Sequence, residues 1–225
     1  MTNKSSRPAS ESTDKASIVT ESLFNKHKNL FIYGTLIILV LIVGGILYYN
    51  YVVQPREARA EEMIFRGQQY FQAEEYEKAL NGDGQVYKGF LSVADEFGST
   101  KAGNLARLYA GLCYAETGKY QEATNYLKAY KDCGDALISP AALAALGNCY
   151  VELGQVENGA DALVKAAQKA DCNSLSPLFY MQAGQLYESL NQNDKAIECY
   201  QHIKTNYVNS AYHSDIDKYI ERASK

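Results

Sequence analysis

Cys199 and His202 stand three residues apart in a helical stretch, a spacing that puts two metal-ligating side chains on one helix face. A pair is not a site: structural zinc takes four ligands, and no third one lies at a telling distance along the chain. No metal is expected there. Asn81-Gly82-Asp83-Gly84 invites a calcium-loop reading. It lacks the alternating oxygens and terminal Glu of such a loop, so a turn is expected instead. No nucleophile elbow, phosphate-cradling glycine loop or Ser/His/Asp pattern occurs. The sequence offers no catalytic residue and no cofactor site, and an enzyme is not expected.

The five cysteines form no framework either. Cys113 and Cys149 occupy equivalent positions 36 residues apart and, with Cys199, read as small packed groups. Cys133 and Cys172 fall near connections. An odd number without a pattern suggests reduced thiols and mildly disfavours an oxidising exterior.

What must position any function is legible in composition and periodicity. The 225 residues are 47% hydrophobic and 21% charged, values of a folded chain, with 19 Tyr and no Trp. Residues 1–28 carry five Lys/Arg against three acids, and the remainder 17 basic against 23 acidic side chains. An acidic body excludes nucleic acid as the partner, because phosphate neutralisation dominates that affinity.

Residues 30–49, LFIYGTLIILVLIVGGILYY, contain no charge. At 1.5 Å per residue a helix of this length spans roughly 30 Å, the hydrocarbon thickness of a bilayer. Tyr33 at one end and Tyr48, Tyr49 and Tyr51 at the other suit the two interfaces. The run exceeds a signal-peptide core of about 7–15 residues, and Ala58-Arg59-Ala60 lies too far beyond it, after Pro55, so an uncleaved anchor is expected. Within about 15 residues of the anchor, Lys15, Lys26 and Lys28 precede it and Arg56 and Arg59 follow. With Lys4 and Arg7 this favours a cytoplasmic N-terminus and a body on the outer side. Residues 1–29 are expected as a disordered tail, 30–49 as the membrane span, 50–60 as a linker and 61–225 as the folded domain.

That domain is a repeat array. Gly67-Gln-Gln-Tyr70, Gly111-Leu-Cys-Tyr114, Gly147-Asn-Cys-Tyr150 and Gly184-Gln-Leu-Tyr187 share one pattern. The last three recur at 36 and 37 residues, and the first gap of 44 implies an insertion. Each unit continues into a second helix with a small residue (Ala79, Ala123, Ala160, Ala196) and, in the last three, a large one three or four positions later: Leu127, Leu163, Tyr200. Gly118, Gly154 and Asn191 suit the left-handed residue that ends a first helix. Pro140 and Pro177 suit helix starts. Residues 210–224 read as a capping helix with Tyr212, Ile216, Tyr219 and Ile220 inward. The expected fold is all-α: a transmembrane helix, then an α-solenoid of about four helical hairpins and a C-terminal cap.

The four registered copies resemble tetratricopeptide repeats, over residues 60–209. With the short basic tail, the single anchor and the segment ALNGDGQVYKGFLSVADEFGSTKAGNLA (79–106), the chain resembles the membrane-anchored ancillary subunit of the bacterial Sec translocon and its relatives. The resemblance implies a single-pass protein of the bacterial inner membrane with its repeats in the periplasm. It implies protein or peptide partners, the Sec translocon among them, and a role in export or envelope assembly. A scaffold facing the cytoplasm is the alternative. In such arrays first helices line a concave groove. Carried over, that groove comprises Ile64, Gln68, Phe71 and Gln72, then Leu108, Leu112 and Glu116, then Asn148, Val151 and Glu152, then Met181, Gln185 and Glu188. Only Asn148 matches a carboxylate clamp, without basic company, so an extended apolar or basic segment suits the groove better than an acidic chain end.

Overall fold

The computed structural model describes residues 28–29 and 32–225. The expected tail lies outside these, apart from Lys28 and Asn29. The chain divides at Pro55/Arg56 into two compact units.

In the first unit, α1 begins at Ile32; the helix runs Ile32–Gln72. Its apolar stretch is unburied and is long and apolar enough to cross a membrane. The Thr35 hydroxyl donates to the Ile32 carbonyl at 2.9 Å, so that polar group is satisfied within the helix. Tyr49–Val53 forms a π-helical turn, closed by the Gln54 N–H on the Tyr49 carbonyl five residues back. Pro55 accounts for it: the ring offers no N–H and crowds the carbonyl four residues earlier, and a widened turn relieves both. Residues 50–60 are helical throughout.

The second unit begins within α1, at Arg56. It continues through α2 (Tyr76–Asn81), α3 (Phe90–Glu96), α4 (Lys101–Glu116), α5 (Tyr120–Ala129), α6 (Ile138–Glu152), α7 (Val156–Ala170), α8 (Ser176–Ser189), α9 (Asn193–Asn206) and α10 (Ile216–Ala223). From α2 onward each helix packs on its neighbour in chain order, as a helical solenoid requires. The expected all-α solenoid is thus what forms. Three apolar clusters follow one another along the array, and the first two share the half-buried Leu105 and Tyr114.

Each hairpin closes at its glycine. A Cβ on Gly111 would come within 2.7 Å of Leu127, on Gly184 within 2.4 Å of the Tyr200 ring, and on Gly147 within 3.0 Å of the Gly159 carbonyl. Gly159, where the other repeats have alanine, is equally tight: its own Cβ would meet Val151 at 2.5 Å. Ala79, Ala123, Ala160 and Ala196 are fully buried in the second helices. The first helices end on left-handed residues, Gly118 and Gly154 at φ +74° and Asn191 at +58°. The first repeat does the same with Glu74 at +60°, a conformation that crowds a Cβ.

The inserted segment is a turn. Asp83 Oδ1 accepts the backbone N–H groups of Gln85, Val86 and Tyr87 at 2.9–3.0 Å, and its Oδ2 accepts the Tyr70 hydroxyl at 3.1 Å. Those donors, the Gln85 N–H foremost, hold its carboxyl below the usual range. After the turn the second helix resumes as α3, and Phe90 with Tyr87 takes the place that Leu127 fills in the next repeat. A Cβ on Gly67 would lie 2.2 Å from the Tyr87 hydroxyl and 2.4 Å from the Phe90 ring.

Ser139-Pro140 and Ser176-Pro177 open α6 and α8, all four buried. Ser176 Oγ donates to the Ala167 carbonyl at 2.8 Å and accepts the Cys172 N–H at 3.0 Å, tying α8 to the end of α7. At α6 the Asp135 carboxylate accepts the N–H groups of Leu137, Ile138 and Ser139 and the Ser139 hydroxyl. Those bonds, the hydroxyl's foremost, pull the Asp135 carboxyl down to about 2. At the far end α10 lays Ile216 against the last cluster, with Tyr212, Tyr219 and Ile220 half-buried beside it.

Gly184→Ala overpacks the Tyr200 contact and costs about 1–3 kcal/mol, read as a lower Tm by circular dichroism, while Glu74→Gly relieves the left-handed strain and raises Tm. Asp135 titrates at about 2 when folded, below the roughly 3.9 of an unfolded aspartate. Its stabilisation is therefore complete above about pH 4 and lost as pH falls toward 2. Urea midpoints of wild type and Asp135→Asn should differ most above pH 5 and converge near pH 2.

Candidate functional site

The first helices present one accessible stripe, at spacings of three and four residues. It runs Glu61, Phe65, Gln68 and Gln72 on α1, then Leu105, Tyr109, Leu112 and Glu116 on α4. On α6 it is Ala141, Ala145, Asn148 and Glu152, and on α8 Leu178, Gln182, Gln185 and Ser189; every member is half-buried or exposed. Ile64, Leu108 and Met181, expected in the groove, are instead 5–6% exposed and belong to the core. One residue of rotation, about 100°, separates Ile64 from Phe65.

The other expected groove residues divide. Gln72, Glu116, Asn148, Glu152 and Gln185 are exposed, and Leu112 is half-buried against the middle cluster. Gln68 donates to the Tyr109 hydroxyl at 3.0 Å, tying the first repeat to the second. Phe71 stands edge-on to Tyr76 and Tyr109, with centroids 5.5 and 5.4 Å apart. Val151 turns toward Gly159. The Glu188 carboxylate, 17% exposed, holds Arg222 of the cap. Phe71, Val151 and Glu188 therefore serve packing and capping.

Phe65 was missing from the expected groove and is its most exposed aromatic residue, at 62%. It lines a cleft of about 330 Å³ with Glu57, Glu61, Ile64, Gln68, Lys101, Ala102 and Leu105. Counting back from Gln72 and Gln68 in helical steps reaches Phe65 and Glu61, a signal the sequence did carry. Glu57 is already engaged: its carboxylate accepts the N–H groups of Lys101 (3.0 Å) and Ala102 (2.8 Å) at the start of α4.

The stripe carries the acids Glu61, Glu116 and Glu152. Helices α6 and α8 contain no Lys or Arg. Among the described residues no ion pair engages Glu61, Glu116 or Glu152. Lysines at the second helices pair instead: Lys119 with Glu77 at 3.1 Å and Lys195 with Glu157 at 2.9 Å, each joining neighbouring repeats. Asn148 has no basic neighbour on its own helix or the next first helix.

Cys199 and His202 face a different cleft, of about 240 Å³, with Tyr180 and Tyr187 in its wall. Cys199 is buried; burial pushes its thiol, like that of Cys113, up to about 12. The His202 ring stacks on Tyr180 at 5.0 Å and meets the Asn206 amide at 3.0 Å through Nδ1. No group of three His, Cys, Asp or Glu placed to hold a metal occurs among the described residues. All five cysteines stand outside disulfides, with Cys133 exposed and Cys172 half-buried. The Leu175 N–H, donating to Cys172 Sγ at 3.5 Å, draws that thiol down. A maleimide should therefore modify Cys133 and Cys172 in the native protein, and Cys113, Cys149 and Cys199 only in urea, as read by intact mass.

Against known families, the model of the tetratricopeptide repeat-like domain matches residues 22–216, which takes in the apolar helix as well as the repeats. A search of curated proteins finds no match.

Proposed function

Because the chain belongs to the tetratricopeptide repeat-like domain family, we propose that it is a membrane-anchored protein-binding module whose first-helix stripe receives polypeptide segments. One observation carries the reading: successive first helices keep an accessible, apolar and acidic stripe whose carboxylates make no ion pair among the described residues. A face that neither completes the core nor neutralises its charge suits a partner. The apolar helix holds the module in the bacterial inner membrane. The excess of basic residues before that helix supports repeats in the periplasm. There the module assists protein export or the assembly of envelope complexes, with the Sec translocon as a candidate partner.

The five unbridged cysteines, one of them exposed, favour a second reading, a scaffold with its repeats in the reducing cytoplasm. Cys133 separates the two. In spheroplasts, a membrane-impermeant maleimide should label it without lysis if the repeats face the periplasm; labelling only after lysis would transfer the assignment to the cytoplasm. Photo-crosslinkers placed at Phe65, Asn148 or Gln185 should trap polypeptides, whereas those at Lys165 or Gln168 of α7 should not. Absence of adducts from all three first-helix positions would remove the binding assignment.

A further inference from the structure

The cleft between α1 and α4 differs from the rest of the stripe in combining an open volume, an exposed aromatic ring and an unpaired acid. Phe65 is 62% exposed beside the apolar side chains of Ile64 and Leu105. An uncovered aromatic next to a cleft of about 330 Å³ is a surface that gains from burial. Glu61 lies one helical turn before Phe65 on the same stripe, and no ion pair among the described residues reaches it. Lys101 stands on the α4 side, where Glu57 has already closed the helix start. Beyond the cleft the stripe continues through Glu116 and Glu152 along helices without a cation on α6 or α8.

Resting on the binding role proposed above, we infer that this cleft is the anchoring pocket of the groove. Its occupant is an extended polypeptide segment with an aromatic or large aliphatic side chain flanked by lysine or arginine. The apolar side chain covers Phe65 and enters between Ile64 and Leu105. The flanking cation pairs with Glu61, and further cations along the segment meet Glu116 and Glu152. The two signs on the rim, Glu61 and Lys101, orient the segment, because its cation is repelled from the α4 side. An acidic segment meets like charge at Glu61, Glu116 and Glu152.

The test uses the full chain in nanodiscs and two fluorescein-labelled peptides, Gly-Ser-Lys-Phe-Leu-Lys-Ser-Gly and its counterpart with Glu in place of each Lys. Fluorescence anisotropy should show the Lys peptide binding about tenfold more tightly, a difference of about 1.4 kcal/mol. Phe65→Ala should weaken that peptide about tenfold, and Glu61→Lys should reverse the preference between the two. Both positions are exposed, so thermal melts of the variants should match wild type. Equal affinities, no binding of either peptide, or undiminished binding by Phe65→Ala and Glu61→Lys overturns the inference. If Glu152→Gln alone abolishes binding, the pocket is wrong while the broader binding role stands; that role falls only if the first-helix crosslinkers trap nothing.

Discussion

The architecture depends on the contact distance between the two helices of each hairpin. A glycine on the first helix removes the Cβ that would keep the second away, and one large side chain fills the gap so opened. Leu127 faces Gly111, Tyr200 faces Gly184, and Phe90 with Tyr87 faces Gly67. In the third repeat the approach is closer still, since Gly159 meets Gly147 backbone to backbone with Leu163 beside them. Once that distance is set, the buried alanines of the second helices allow the next hairpin to stack, and the cap closes the last apolar surface. The rotation of each first helix is fixed by the same contact. With its glycine pointed at the partner helix, the stripe beginning at Glu61, Leu105, Ala141 and Leu178 has nowhere to face but outward.

That dependence explains why the fold was legible and part of the site was not. The recurring Gly-x-x-Tyr, the spacing of 36 and 37 residues and the uncharged run are each set within one segment, so sequence alone carried them. Ile64, Leu108 and Met181 are buried although expected in the groove, because periodicity gives a helix face only to within about one residue, and neighbouring helices decide which side of Ile64 or Phe65 is covered. Glu188 looked like a groove residue because its partner, Arg222, arrives from the cap 34 residues later. The first repeat concealed more. Its insertion moved the filling aromatic to Phe90, and its left-handed helix end falls on Glu74, which no glycine or asparagine announces.

Charge is segregated in the same geometry, and magnitudes show what the segregation does. Pairs such as Lys119–Glu77 and Lys195–Glu157 join successive repeats near their second helices, but exposed ion pairs are worth only about 0–1 kcal/mol each. The apolar clusters hold the stack: burying one leucine or aromatic side chain contributes about 1.5–3 kcal/mol, and each cluster buries several. The lysines are thus a minor source of stability. Their placement matters more to the first-helix face, because cations engaged on the second helices leave Glu61, Glu116 and Glu152 without an ion pair among the described residues.

Stability and recognition therefore rest on different surfaces of the same helices. The core takes Ile64, Leu108 and Met181, while Phe65, Asn148 and Gln185 contribute little to it. Substitutions on the accessible stripe leave the glycine contacts untouched, so its chemistry can change without disturbing the stack. The reverse does not hold. A shift of one hairpin at Gly147 or Gly184 would turn its first helix, and a turn of one residue would replace an exposed position by a buried one. The tight helix approach is thus what keeps Phe65 and Glu61 at the mouth of one cleft, although neither residue takes part in it.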